Sequence, residues 1–390
     1  MAWALGWTEL VSWGILFYAF SVLLVPMQDE LGWSTGVITG AYSLAILISG
    51  LLAPWVGRWI DAHGARMLMT FGSTLGAAMV FAWSQVGSVV GLYLVWIGMG
   101  VAAACTLYDP AFAAIAPWFR NNRGRAMLII TFLGGLASTV FLPVTGWLED
   151  RYGWRDALIV LAVFLAVSTI LPHLLVLRAP QSDGPARTRP NTLASTKALL
   201  QTPWFRRLAL AFFLQSFTSV AVAVHMIAYL IDNGVTPTTA AVATGVIGAA
   251  QTGARVVVTV FERVTDIATL TAWMFGLQMV AVAMLVIWPS GVAMIVAAIL
   301  LGFGRGALTL LRPAILLEHY NVHEFGGVNG SLSAILTLAT ASAPVVTGLA
   351  VGWFDTYTIV FSAYAVVSLL SAVVLLSLRT LPSPLRADAP

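Results

Sequence analysis

Residues 3–27 read WALGWTELVSWGILFYAFSVLLVPM, with a single charged residue, Glu9, in an otherwise apolar and uncharged run. A helix rises about 1.5 Å per residue, so a run of this length crosses a hydrocarbon core about 30 Å thick. Similar runs recur outward from it along the whole chain. They occupy residues 36–58, 67–86, 89–117, 124–148, 156–177, 204–231, 238–261, 267–288, 291–317, 326–352 and 356–378. Charged residues make up 9% of the chain and mean hydropathy is +0.91, a surface that water would not solvate. The pattern predicts an all-α membrane protein with twelve transmembrane helices. The first run starts at the third residue without a basic leader, and reads as a retained helix.

Charge placement orients the spans. An even number of crossings puts both termini on one side. The loops and tails of that side hold 14 of the 19 Lys and Arg residues, the opposite side holds only Arg151 and Arg155, and three arginines lie inside spans. This positive-inside bias predicts cytoplasmic termini, a plasma (bacterial inner) membrane location and anionic lipid headgroups as neighbours. The basic balance is thereby a topology signal, and no nucleic-acid partner is expected. The one cysteine, Cys105, sits in a span, so neither an internal disulfide nor a cysteine metal cluster is available. No cofactor or metal is expected, and no extramembrane domain or nucleotide loop speaks for an enzyme. Trp33, Trp154, Trp288 and Trp353 are expected as interface anchors on the side away from the termini.

The longest polar stretch, RAPQSDGPARTRPNTLASTKALLQTP from Arg178 to Pro203, divides the chain. Residues 1–178 and 204–390 read as two six-helix halves, with 179–203 as a cytoplasmic linker. The halves echo one another. TLYDPAFAAIAPWF in span 4 superposes on TLLRPAILLEHYNV in span 10 at an offset of 203, so that Asp109-Pro110 matches Arg312-Pro313. LPVTGWLEDRY in span 5 is answered by APVVTGLAVGWFDTY in span 11. Parallel six-helix repeats suit carriers with a site between the halves near the bilayer midplane.

The loop after span 2 reads GRWIDAHGARM, with Gly57, Asp61, Gly64 and Arg66 as its skeleton. It resembles the loop motif of the major facilitator superfamily, in the place where that family carries it. The resemblance implies two six-helix halves around a central cavity, and a gating role for Asp61 and Arg66. The counterpart in the second half is reduced to Glu262-Arg263. A further stretch from Trp118, WFRNNRGRAMLIITFLGGLASTVFLPVTGWLEDRYGWRDAL, looks like the span 5 region of monocarboxylate and oxalate–formate carriers. Those carriers often place a substrate-binding arginine on span 8, where this chain has Arg255.

Charges inside spans are costly and mark cavities or partners. The residues concerned are Glu9, Asp109, His225, Arg255, Arg305 and Arg312. Arg305 and Arg312 are two helical turns apart on one face, and Gln251 and Arg255 are one turn apart. Spans 1, 4, 7 and 10 line the cavity in the family resembled. Three arginines against two carboxylates favour an anion, which a guanidinium holds through two parallel hydrogen bonds. Arg255, Arg305, Gln251, Trp13 and Phe17 are therefore expected to contact substrate. Asp109, Glu9 and His225 are candidates for proton coupling, and Asp109 with Arg312 for a gate. Each residue also has a plain structural reading: Asp109 can satisfy a helix broken by Pro110, Arg312 can snorkel, and His225 can brace two helices. The expected function is secondary transport of a small organic anion, a monocarboxylate being one possibility, by proton symport or anion exchange. Proton-driven efflux of a drug or metabolite is the alternative.

Overall fold

The structure, a computed structural model, describes residues 1–115, 123–177, 197, 199–261, 265–289, 291–320 and 325–381. Most of the expected linker 179–203, Glu262-Arg263 and the side chain of Asp61 lie outside the described residues. Among the described residues every regular element is helical, and the chain forms twelve long rods. These are α1 (Ala2–Leu31), α2 (Thr35–His63), α3 (Ala65–Ser84), α4 (Val89–Ile115), α5 (123–152), α6 (154–176), α7 (Pro203–Asp232), α8 (Pro237–Phe261), α9 (Ile267–Ile287), α10 (Gly291–His319), α11 (Phe325–Phe354) and α12 (Tyr357–Leu376). Among the described residues, ten stretches have the length and hydropathy to cross a bilayer. One of them, Arg125–Val176, is two rods that meet at Gly153, whose φ of 78° reverses the chain.

Local chemistry explains where the rods start and stop. Ser34, Ser88, Asp266 and Thr356 cap α2, α4, α9 and α12 by accepting backbone N–H bonds through their side chains. Gly32 and Gly64 take positive φ between consecutive rods, which spares a Cβ penalty. Two rods contain a widened π turn, Gly14–Tyr18 in α1 and Ala166–Ile170 in α6.

The rods group into two compact units. The first comprises Met1–Arg187, Val224–Gly248 and Pro344–Trp353; the second comprises Thr188–Ala223, Ala249–Ala343 and Phe354–Pro390. In the first unit, Phe20, Tyr42, Trp83 and Trp96 from α1–α4 form an aromatic core. Phe20 stacks on Tyr42 at 4.4 Å, and Trp96 lies 5.0–5.3 Å from each of the other three. At the end of this unit away from the termini, Glu30 accepts bonds from the Trp154 indole (2.6 Å) and from Arg155 Nε (2.8 Å). The same guanidinium donates to the carbonyls of Ser84 and Val86, which ties α1, α3 and α6 together. This corrects one sequence expectation: Trp154 is only 3% exposed and serves that clamp, so it is no interface anchor. Trp288 and Trp353 are exposed, as anchors should be. In the second unit, Trp204, Phe205, Phe212, Phe275, Ile315 and Leu332 build the core between α7, α9, α10 and α11.

Candidate functional site

Pro110 has no N–H to give to the carbonyl of Thr106, and its ring crowds that carbonyl. The helix breaks there: Val89–Thr106 and Tyr108–Ile115 are separate helical pieces, with Leu107 extended at φ −79° and ψ −165°. Two glycine contacts keep α4 from bending instead. A Cβ on Gly100 would lie 2.7 Å from the Ala45 carbonyl of α2, and one on Gly72 of α3 would collide with Cys105 and Thr106. The strain is thus released at Leu107, next to the clamped segment.

The break opens a cavity of about 220 Å³ inside the first unit. Trp13, Ser49, Ala53, Ala103, Tyr108 and Asp109 are among its lining. The Trp13 and Tyr108 rings are 5.3 Å apart, and Asp109 is exposed on the wall. Glu9 lies one helical turn before Trp13, fully buried, and neither of its oxygens has a hydrogen-bond partner among the described residues. The Trp13 indole and the Asp109 carboxylate lie near it. Of the sequence candidates, Trp13 and Asp109 meet at this cavity with Glu9 beside them. Phe17 stands behind, 5.4 Å from Trp13 and 5.6 Å from Tyr42. Phe20 belongs to the aromatic core.

His225 is elsewhere in the same unit. It is fully buried, and its Nε2 donates to the Pro344 carbonyl at 3.0 Å, bracing α7 to α11. It belongs to a seam that joins the ends of α7, α8 and α11 away from the termini to α2 and α5. Ser43 Oγ accepts the Val345 N–H (3.1 Å), and Thr139 Oγ1 donates to the Gly245 carbonyl (2.8 Å). A Cβ on Gly348 would strike Thr39 and the backbone of Gly36, so α2 and α11 touch through glycine.

The second unit holds the arginines. A Cβ on Gly306 would collide with the Gln251 carbonyl, so α8 and α10 are in backbone contact beside Arg305. Arg255, Arg305 and Arg312 are half-buried, and Arg305 has no hydrogen-bond or ion-pair partner among the described residues. Gln278 of α9 packs against Gly304; it is 1% exposed and both ends of its amide are without partners among the described residues. Arg66 is exposed at the start of α3.

One polar node was missed by the sequence reading. His173 of α6, 1% exposed, lies between Ser73 of α3 (Nδ1, 2.6 Å) and Thr8 of α1 (Nε2, 3.0 Å). Thr8 also donates its hydroxyl to the Leu5 carbonyl, and the imidazole bridges α1 and α3 through its two nitrogens. A histidine within the apolar stretch LPHLLV was the available signal.

The family model of the Major Facilitator Superfamily matches residues 10–292. The oxalate:formate antiporter of Oxalobacter formigenes is 26% identical over 217 residues, covering 54% of this chain and 51% of that protein. Monocarboxylate transporter 13 of Bos taurus is 26% identical over 243 residues, covering 61% and 54% respectively. The chain spans about half the length of these curated relatives. The crystal structure of the nucleoside transporter NupG in a mutant form superposes with a TM-score of 0.82 at 15% identity, covering 97% of this chain and 98% of that one. A bacterial homolog of the human lysosomal transporter Spinster, in an inward-facing and occupied conformation, gives 0.77 at 13% identity, covering 100% and 98%. These structural likenesses establish the fold.

Proposed function

The chain belongs to the Major Facilitator Superfamily, and from that premise we propose that it is a secondary transporter of a small organic anion, working by alternating access. The observation that carries this reading is the set of half-buried arginines in the second unit, above all Arg305, which has no partner of its own among the described residues. A guanidinium at membrane depth requires a partner, and a substrate carboxylate meets it with two parallel hydrogen bonds. Arg255 and Gln251 on α8 complete the proposed anion contact. The likeness to an oxalate:formate antiporter and to a monocarboxylate transporter supports the same substrate class.

Coupling is proposed to run through Glu9 and Asp109. An ionised carboxylate enclosed like Glu9 without a hydrogen bond costs several kcal/mol, so proton uptake there accompanies the loaded state. His225 is a further proton-coupling candidate. Exchange of one anion for another is the other coupling mode that suits the site. The seam at Ser43, Thr139 and Gly348 is proposed to be the gate on the side away from the termini. Asp109, Arg312, Asp61 and Arg66 are proposed to act at the opposite gate. The charge bias of the loops supports a bacterial inner-membrane location with cytoplasmic termini. The alternative, proton-driven efflux of a drug or metabolite, draws on the acidic and aromatic lining of the first-unit cavity.

Reconstitution in liposomes tests the reading. Labelled oxalate, formate and lactate are offered with and without a pH gradient or an internal anion, alongside a cationic dye. Anion accumulation that leaves the substrate chemically unchanged is the expected result. Dye extrusion without anion movement would overturn it in favour of efflux.

A further inference from the structure

We propose that the cavity of the first unit seats the ring of an aryl carboxylate, and that a ring hydroxyl donates to Asp109. The inference rests on the organic-anion reading and narrows its substrate class. Its volume of about 220 Å³ falls below the ~300 Å³ at which pockets for drug-sized ligands begin. It accommodates one ring.

Two rings, Trp13 and Tyr108, form part of the wall, and each packs against a further ring. Trp13 is backed by Phe17 at 5.4 Å, and Tyr108 stacks on Phe112 at 5.5 Å with an interplanar angle of 6°. Gly134 of α5 gives the Tyr108 hydroxyl end its room, since a Cβ there would collide with it. Apart from Asp109, the remaining lining is Ser49 and Ala53 from α2 with Ala103, Ala104, Leu107 and Pro110 from α4, mostly small and almost wholly apolar. Fixed rings beside small residues select a planar, polarisable guest over a puckered aliphatic one. The exposed Asp109 carboxylate on this wall repels a second carboxylate and attracts a hydrogen-bond donor. The guest therefore enters ring first, with its own carboxylate turned away from this wall.

The test uses the full-length purified protein and equilibrium binding of five probes: benzoate, cyclohexanecarboxylate, 4-hydroxybenzoate, lactate and phenol. Benzoate and cyclohexanecarboxylate share charge and size, and differ in the π face. The expected preference for benzoate is about tenfold, the upper range for an aromatic pair. 4-Hydroxybenzoate should bind more tightly still. Trp13→Leu should erase the benzoate preference while leaving cyclohexanecarboxylate affinity within about twofold, and Trp13→Phe should keep it. Asp109→Asn should erase only the advantage of the hydroxyl. If benzoate binds no better than cyclohexanecarboxylate, or does not bind, the ring site is overturned, and lactate binding in that case leaves the anion reading intact. If phenol binds as tightly as benzoate, the ring site stands and the anion reading falls. An equal loss of both cyclic acids in Trp13→Leu, with Trp13→Phe no better, would also overturn the proposal.

Discussion

The segments Asp109-Pro110 of α4 and Arg312-Pro313 of α10 occupy the same place in the internal repeat, yet they fold differently. In α4 the helix breaks at Leu107, whereas α10 runs unbroken from Gly291 to His319 with Pro313 inside it. The proline penalty is common to both. The difference lies in how close each helix is clamped to its proline. Gly72 of α3 holds α4 at Cys105 and Thr106, and Thr106 carries the very carbonyl that Pro110 crowds. In α10 the close contact is at Gly306, seven residues before Pro313, which leaves two turns over which to bend. One repeat position thus exposes a carboxylate at a cavity, and the other keeps a half-buried arginine on a continuous helix. An internal repeat preserves the positions of chemistry and leaves its geometry to the neighbours.

The proposed function puts anion binding on the arginine side and proton response on the acidic side. The largest expected effect comes from removing the first. Arg255→Gln with Arg305→Gln should lower anion uptake by about a hundredfold or more, since deleting a charged partner costs about 2–5 kcal/mol. Membrane insertion should be unchanged on a gel-filtration profile. Asp109→Asn should instead leave anion exchange within about threefold and abolish the response of net uptake to a pH gradient. If the two variants lose the same function, the division of labour between the units fails.

Next in size is the proline contrast itself. Pro110→Ala restores a backbone donor to Thr106 and should displace the cavity wall, lowering uptake about tenfold to a hundredfold. Pro313→Ala changes a helix that is already continuous, and should cost no more than about threefold. Equal losses would show that the break is incidental. The gating proposal gives a smaller effect. Asp109→Arg or Arg312→Asp alone should shift the distance between spin labels on the terminal-side ends of α4 and α10, and the double exchange should move it part of the way back. Unchanged distributions in both single variants would make the two residues separate structural charges.

The smallest effect provides a control outside the membrane. Burial raises the Asp266 carboxyl, but the bonds from Thr269 and Arg379 outweigh it and bring it down to about 2. A carboxyl held below its unfolded value of about 3.9 stabilises the fold above that pH, and loses the contribution as pH falls toward 2. Asp266→Ala removes the α9 cap and should lower stability by about 1 kcal/mol at pH 7. The gap between variant and wild type should close on acidification, read by thermal unfolding in detergent. Transport per folded molecule should not change, which separates this exposed charge from those inside the spans.

The apolar runs alone determined the all-helical architecture, because a backbone in hydrocarbon must satisfy its own hydrogen bonds locally and so becomes helical wherever the run is long enough. The repeat, the charge bias and the loop at Gly57–Arg66 were equally legible, each being a matter of order along the chain. What a side chain would face was not. Trp13, Phe17 and Phe20 share one face of an ideal helix, but the π turn at Gly14–Tyr18 falls between them and changes the register. Trp13 accordingly reaches the cavity, while Phe20 is enclosed with Tyr42, Trp83 and Trp96. His173 acquired its meaning only when α1 and α3 brought Thr8 and Ser73 to its two nitrogens, and Leu107 broke because Gly72 and Gly100 let two neighbouring helices press against α4. Periodicity and hydropathy decide that a helix exists; its rotation, its breaks and the partners of its few polar groups depend on contacts between residues distant in sequence, which only the packed structure brings together.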